Sequence, residues 1–235
     1  MNIQLVTKTI GVGKYDGLSS EQIISAIARH GIIKEDNGKL VKYLMDNAHW
    51  SPLDMINFTF EIETSRDIGR QILRHQSIKF QEHSTRYSDR IEFENIELRK
   101  EHPTNRQSST DVCNPILNIN LSGNDSCEML ASEVVNDFLN KTQNLYLELI
   151  SKGVAKECAR HILPGCLTTT MSANGTLRSW LSFLNVRCDN HAEKEIQIIA
   201  NIIGKILEKE LPNVFSEIKW ENGMFMWQFQ RVYLL

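Results

Sequence analysis

The chain is short of cysteine, of net charge, of loop aromatics and of long apolar runs, and each shortage closes off a class of protein. Its five cysteines (Cys113, Cys127, Cys158, Cys166 and Cys188) form an odd set with no Cys-x-x-Cys pair. That argues against a disulfide framework or a zinc site and for reduced, structural thiols. A formal charge of −3 argues against a general nucleic-acid binder, so any anion site has to be a local cluster of basic residues. Few loop aromatics remain to stack single-stranded bases. No apolar run approaches the ~20 residues that span a bilayer. The first residues, Met1 to Lys8, lack signal-peptide architecture, and a cytoplasmic protein is expected. No Gly-x-Gly-x-x-Gly follows a strand-like stretch, so the dinucleotide fingerprint of a Rossmann fold is missing.

What is present fits one sizeable core. The chain has 235 residues, 41% of them apolar and 23% charged, with no internal repeat and no linker, so a single domain over 1–235 is expected. Residues 3–7 read as a short strand, and 20–30 and 38–48 as helices. Pro52 opens a turn. Alternation through Ile56-Asn57-Phe58-Thr59-Phe60-Glu61-Ile62 marks a half-buried strand. Thr64 or Ser65 is placed to cap a helix running towards Arg74. Ile91 to Glu94 looks strand-like, and 99–127 is a polar surface excursion. The clearest helix carries Val134, Val135, Phe138, Leu139, Leu145, Tyr146 and Leu149 on one face, with Gly153 to end it. Helices over about 174–186 and 190–210 complete an α/β chain. Trp180 reads as core, and His191 as a capping or packing residue after Asp189.

Residues 70–88 are the most informative stretch. Nineteen residues hold three arginines, two histidines, one lysine, three glutamines and a single glutamate, Glu82. A solvated helix face would alternate charge at i,i+4 spacing, whereas this segment gathers forked donors suited to phosphate and carbonyl oxygens. It reads as an anion- and nucleotide-binding loop entered from a helix.

Within it, Arg74-His75-Gln76, seven residues, then Ser84-Thr85-Arg86-Tyr87 resembles the signature of the flavin-dependent thymidylate synthases. Three further elements of that family occur in order: His49-Trp50-Ser51-Pro52-Leu53-Asp54, Ala159-Arg160-His161-Ile162-Leu163-Pro164, and the stretch from Thr176-Leu177-Arg178-Ser179-Trp180 to Arg187 and His191. The four elements run from about residue 40 to about residue 200, while 1–30, 99–127 and the C-terminal tail show little likeness. The sequence departs from the family pattern at Gln76 for arginine, Lys79 for serine and Gln81 for asparagine. Losing the charge at 76 weakens a phosphate contact by about 1–3 kcal/mol unless Lys79 restores it.

The resemblance implies an α+β fold with a central, mostly antiparallel sheet flanked by helices, and a homotetramer with sites at subunit contacts. It implies reductive methylation of deoxyuridine monophosphate (dUMP) to thymidylate, with FAD as cofactor and NADPH and 5,10-methylenetetrahydrofolate as co-substrates. By resemblance, dUMP falls to Gln71, Arg74, Glu82, Ser84, Arg86, Arg160 and Arg187, with Arg187 favouring activation of the uracil ring. FAD falls to His49, Ser51, Asp54, Arg74, His75, Gln76, Glu82, Thr176, Arg178 and Ser182. No metal is implied. A guanidinium beside the ring carbonyl and N3 stabilises charge developing as C5 becomes nucleophilic. Ser84 lacks a flanking base motif and reads as a hydrogen-bonding group, not a nucleophile. Arg178 is divided between a flavin phosphate and a surface ion pair, and His30, His83, His102 and His161 read as structural. Two other functions stay open: one-carbon transfer to a different pyrimidine nucleotide, and a non-catalytic nucleotide-binding module.

Overall fold

The computed structural model describes residues 1–35, 37–84, 86, 91–106, 108–120, 126–216, 219–221 and 224–226; of Asn120, Ser126 and everything from 217 onward only the backbone is described. Thr85 and Tyr87 of the arginine-rich signature lie outside these residues. The strands are β1 Asn2–Lys8, β2 Asn57–Ser65, β3 Lys79–Glu82, β4 Arg99–Glu101, β5 Ser109–Val112, β6 Ile116–Asn120, β7 Ser126–Leu130, β8 Thr168–Thr176, β9 Lys219–Glu221 and β10 Met224–Met226. The α-helices are α1 Ser20–Ala28, α2 Lys39–Asp46, α3 Arg66–Ile72, α4 Ala131–Ser151, α5 Lys156–Ala159, α6 Leu177–Arg187 and α7 Lys194–Glu210. The architecture is mixed α/β, with an antiparallel sheet flanked by helices and strand order β1-β2-β8-β3. Two compact units share the chain: a larger one of Asn2–Glu63, Arg70–Gln81 and Met171–Leu235, and a smaller one of Met1, Thr64–Gly69 and Glu82–Thr170.

In the larger unit, β2 does what its alternation demands. Phe58, Phe60 and Ile62 turn inward and are fully buried, while the intervening residues stay partly exposed. β1 pairs with it antiparallel, from Asn2 opposite Glu63 to Lys8 opposite Phe58, with a bulge between Leu5 and Thr7. α1 starts in a capping box, in which Ser19 Oγ accepts the Gln22 amide and Gln22 Oε1 accepts the Ser19 amide. α6 buries Leu177, Trp180, Leu181 and Leu184 at helical spacing, and α7 buries Ile196, Ile199, Ile203 and Leu207. Among the described residues no helix is long and apolar enough to cross a membrane.

Several expectations need correction. The helix expected from 174 starts only at Leu177, because Thr168–Thr176 is strand β8. Its inward positions, Thr169, Met171, Ala173 and Gly175, include no large branched residue, so the alternation was faint in the sequence. A side chain at Gly175 would bring its Cβ to 3.1 Å from Ile78 Cγ1 and 3.2 Å from Trp180 Nε1, which explains the glycine there. Part of the arginine-rich loop is likewise strand β3.

In the smaller unit, Ile91–Glu94 contributes only an isolated bridge, Phe93 with Leu167. The described residues of the polar excursion include two antiparallel strand pairs, β4–β5 and β6–β7. α4 buries Leu139, Thr142 and Tyr146, whereas Phe138 and Leu145 are exposed. Its buried stripe is narrower than the apolar face: Tyr146 joins a small cluster with Ile91, Ala159 and Leu167, against which the partly buried Leu149 and Ile150 also pack. Gly153, at φ +83°, follows the end of α4 as its sequence position suggests. All five cysteines are free, and burial pushes the Cys166 thiol up from its ordinary value.

Candidate active site

Two clusters of sequence-singled residues take shape, one in each unit. The first lies at the C-terminal end of α6. Helical repeat puts Phe183 and Arg187 on one side of α6, and His75 engages both. The imidazole packs edge-on against the Phe183 ring at 4.8 Å, and its Nε2 accepts Arg187 Nε–H at 2.9 Å. A second guanidinium nitrogen, Nη2, donates to the Gln71 carbonyl at 3.0 Å. Burial, and then the Arg187 charge, push the His75 pKa down to about 4, so the ring is neutral near pH 7. Burial and the neighbouring Arg74 charge also lower Arg187 from its ordinary value. Among the described residues no carboxylate forms an ion pair with Arg187: Glu193 instead accepts the Gln71 side-chain amide. Arg74 and Gln76 are exposed.

Also in the larger unit, the N-terminus of α6 is tied to the turn that follows α2. Thr176 caps the helix by accepting the Ser179 amide and donates to Asp54 Oδ1 at 3.1 Å. Arg178 pairs with Asp54 Oδ2 at 3.3 Å, each about one-third exposed, which is the surface ion pair weighed for it. Pro52 sits in the first turn of the 3-10 segment Ser51–Met55, as expected of a turn-starting proline. Ser51 is exposed, and Ser182 lies half-buried one helical turn beyond Arg178. His49 is exposed, with its ring edge-on to Tyr43 at 6.1 Å. Trp180 is core, and His191 is exposed, its backbone and ring both bonded to Asp189. These bonds, the backbone one first, hold the Asp189 carboxyl below its usual range.

The second cluster, in the smaller unit, is a pocket of about 180 Å³ lined by Arg66, Glu82, His83, Ser84 and Arg160. Glu82 Oε1 accepts the Thr169 hydroxyl at 2.7 Å, which turns the one carboxylate of the set towards a strand partner. Neither Arg66 nor Arg160 has an ion-pair partner among the described residues, although both are half-buried. Two guanidinium groups and a hydroxyl against a single carboxylate leave the pocket with donors in excess, the chemistry that an anionic group calls for. Ser84 Oγ accepts the Arg86 amide at 3.3 Å, and among the described residues no side-chain base is bonded to it. Arg86 is exposed and does not line the pocket.

Sequence reasoning missed Arg66 and read His83 as structural; both line the pocket. A signal for Arg66 existed. It is the first residue of α3, where the helix dipole favours an acidic residue and disfavours a cation.

An antiparallel-sheet scaffold that holds half-buried Arg66, Arg160 and Arg187 without an ion-pair partner among the described residues has the chemistry of a binder of anionic ligands. The chain belongs to the family described as thymidylate synthase complementing protein, whose profile matches residues 14–213. That match reaches well beyond the four elements and includes residues 14–30 and 99–127, where little likeness was expected. A flavin-dependent thymidylate synthase of Synechocystis sp. is 36% identical over 225 residues, which cover 94% of this chain and 100% of that protein. A probable flavin-dependent thymidylate synthase of Paramecium bursaria Chlorella virus 1 is 32% identical over 208 residues, covering 86% and 92%. A flavin-dependent thymidylate synthase of Kosmotoga olearia is 33% identical over 184 residues, covering 77% and 76%.

Proposed function

We propose that this chain is a flavin-dependent thymidylate synthase: it methylates dUMP reductively to thymidylate, using FAD, 5,10-methylenetetrahydrofolate and NADPH. What carries the reading is Arg187, a half-buried guanidinium that among the described residues is bonded only to neutral acceptors. Such a group keeps its full charge for a ligand carbonyl and for the negative charge that develops when a uracil ring becomes nucleophilic. Arg160, Ser84 and Arg66 supply the donor set that a dianionic phosphate needs, and Glu82 offers one acceptor beside it. Gln71, Arg74 and Arg86 complete the dUMP contacts carried over from the family.

The larger unit's donors suit FAD in their chemistry. Arg74 is exposed and has no carboxylate partner among the described residues, as a contact to a pyrophosphate requires. Gln76, Ser51, Ser182 and Thr176 add neutral hydrogen-bonding groups, and His75 and His49 add imidazoles. Arg178 is the weaker candidate, because Asp54 already offsets its charge. When bound, the flavin supplies the hydride, and the chain's residues orient and polarise. We also propose a homotetramer with sites at subunit contacts, working in the cytoplasm, with 1–235 acting as one catalytic domain.

The absorption spectrum of purified protein tests the reading. Flavin bands near one per chain should bleach with NADPH, and incubation with dUMP and the folate should yield a product of thymidylate mass. Protein that stays colourless after incubation with FAD sinks the reading. A hydroxymethylated product, or turnover of another pyrimidine only, would instead point to different one-carbon chemistry.

The pocket makes its own prediction. Arg66→Ala removes a charge-assisted contact worth about 1.5–3 kcal/mol, so KM for dUMP should rise about tenfold or more, with a smaller change in kcat. An unchanged KM would remove Arg66 from the phosphate site.

A further inference from the structure

Arg187 is held in an unusual way. A half-buried arginine ordinarily meets a carboxylate, which satisfies its donors and cancels its charge. Here the two acceptors are an imidazole nitrogen at 2.9 Å and a backbone carbonyl at 3.0 Å, and the nearest charged influence on it is the repulsive Arg74. The guanidinium has five N–H groups. Among the described residues, its two bonds use one hydrogen on Nε and one on Nη2, leaving both hydrogens of Nη1 and one of Nη2 for a ligand.

We propose that His75 is a positioning residue for Arg187: its imidazole accepts the guanidinium Nε–H at Nε2 and fixes the fork without neutralising it. The inference rests on the thymidylate synthase reading for its consequence in turnover, and on the observed contacts for the positioning itself. Accepting at Nε2 requires the ring proton to sit on Nδ1. The ring is kept in place by its edge-on contact with Phe183, which stands one helical turn before Arg187. One side chain therefore reads both the orientation of α6 and the position of its terminal arginine. A glutamate in place of His75 would bond the arginine as well but cancel the charge that the reaction uses. The same arrangement limits what His75 can offer a flavin: with Nε2 engaged, only the Nδ1–H donor remains.

The test compares His75→Gln with His75→Leu in flavin-loaded protein, alongside nitrogen NMR of the wild-type imidazoles. Gln places an amide oxygen near the Nε2 position, where it accepts from Arg187, whereas Leu keeps bulk and offers no acceptor. His75→Gln should turn over at least tenfold faster than His75→Leu, with the loss in the leucine variant falling on kcat more than on KM for dUMP. The wild-type spectrum should show the Nδ1–H tautomer near pH 7, and Arg187→Leu should raise the His75 pKa. A His75→Leu enzyme as fast as His75→Gln, or an Nε2–H tautomer in the wild type, overturns the proposal. Should the wild type make no thymidylate, the functional reading fails while the NMR arm still decides the His75–Arg187 contact.

Discussion

Replacing Arg187 with leucine is expected to lower kcat by at least 100-fold, the cost of removing one preorganised donor group aimed at developing charge. The folded state gives a reason to expect little loss of stability. Burial and the Arg74 charge both disfavour the Arg187 cation, so folding holds this charge against a cost. A charge kept in such surroundings without a carboxylate partner is more readily explained by function than by stability. The leucine variant should therefore unfold at the wild-type temperature or above it, while thymidylate formation collapses. Arg187→Lys should fall between the two, because an ammonium keeps the charge but lacks the planar fork that meets His75 and Gln71 together. Steady-state kinetics with a thermal unfolding curve on the same preparations checks both halves. A drop in kcat of less than about tenfold would remove Arg187 from the chemistry, and a large fall in melting temperature would make it a structural residue.

Much of the scaffold could be read from periodicity alone. Phe58, Phe60 and Ile62 alternate, and Leu177, Trp180, Leu181 and Leu184 recur at helical spacing; both sets are buried as their pattern requires. Where the pattern misled, burial was decided by partners that a linear sequence does not display. β8 turns Ala173 and Gly175 inward, residues too small to mark a strand, and at Gly175 the close approach of Ile78 and Trp180 leaves no room for a side chain. Phe138 and Leu145 look like core on α4 and lie exposed, whereas Tyr146, Leu149 and Ile150 are the α4 residues that meet the smaller unit's cluster. The site divides along the same line. Motif spacing singled out Glu82, Ser84 and Arg160, which do line one pocket, and His75 and Arg187, which are hydrogen-bonded. It was silent on Arg66, whose part depends on α3 beginning where it does, and on the bond joining His75 to a residue 112 positions away. The resemblance treated those two residues as separate ligand contacts, and their pairing emerges only from the packing of Phe183 beside them.

Trp180→Ala should be the most destabilising single substitution considered for the larger unit, by about 3–5 kcal/mol out of a total on the order of 5–15 kcal/mol. Trp180 is fully buried, its ring edge-on to Phe60 at 4.9 Å and to Phe183 at 5.6 Å, and its Nε1 donates to the Phe58 carbonyl at 3.0 Å. Alanine opens a cavity, breaks two aromatic contacts and removes the indole hydrogen bond to the Phe58 carbonyl. Trp180→Phe keeps a ring in the space but still removes that hydrogen bond, so about 1–3 kcal/mol should be lost. The damage should also reach the chemistry. Phe183 is wedged between Trp180 and His75, and a cavity at 180 frees it to shift, loosening the imidazole that holds Arg187. Under conditions where the phenylalanine variant is still fully folded, its kcat should therefore fall while its flavin content holds. Urea unfolding monitored by far-ultraviolet circular dichroism, with kinetics on the folded fraction, measures both effects. An alanine variant destabilised by less than about 2 kcal/mol would show that the core between β2 and α6 closes over the gap, and the link from Trp180 through Phe183 to the site would go with it.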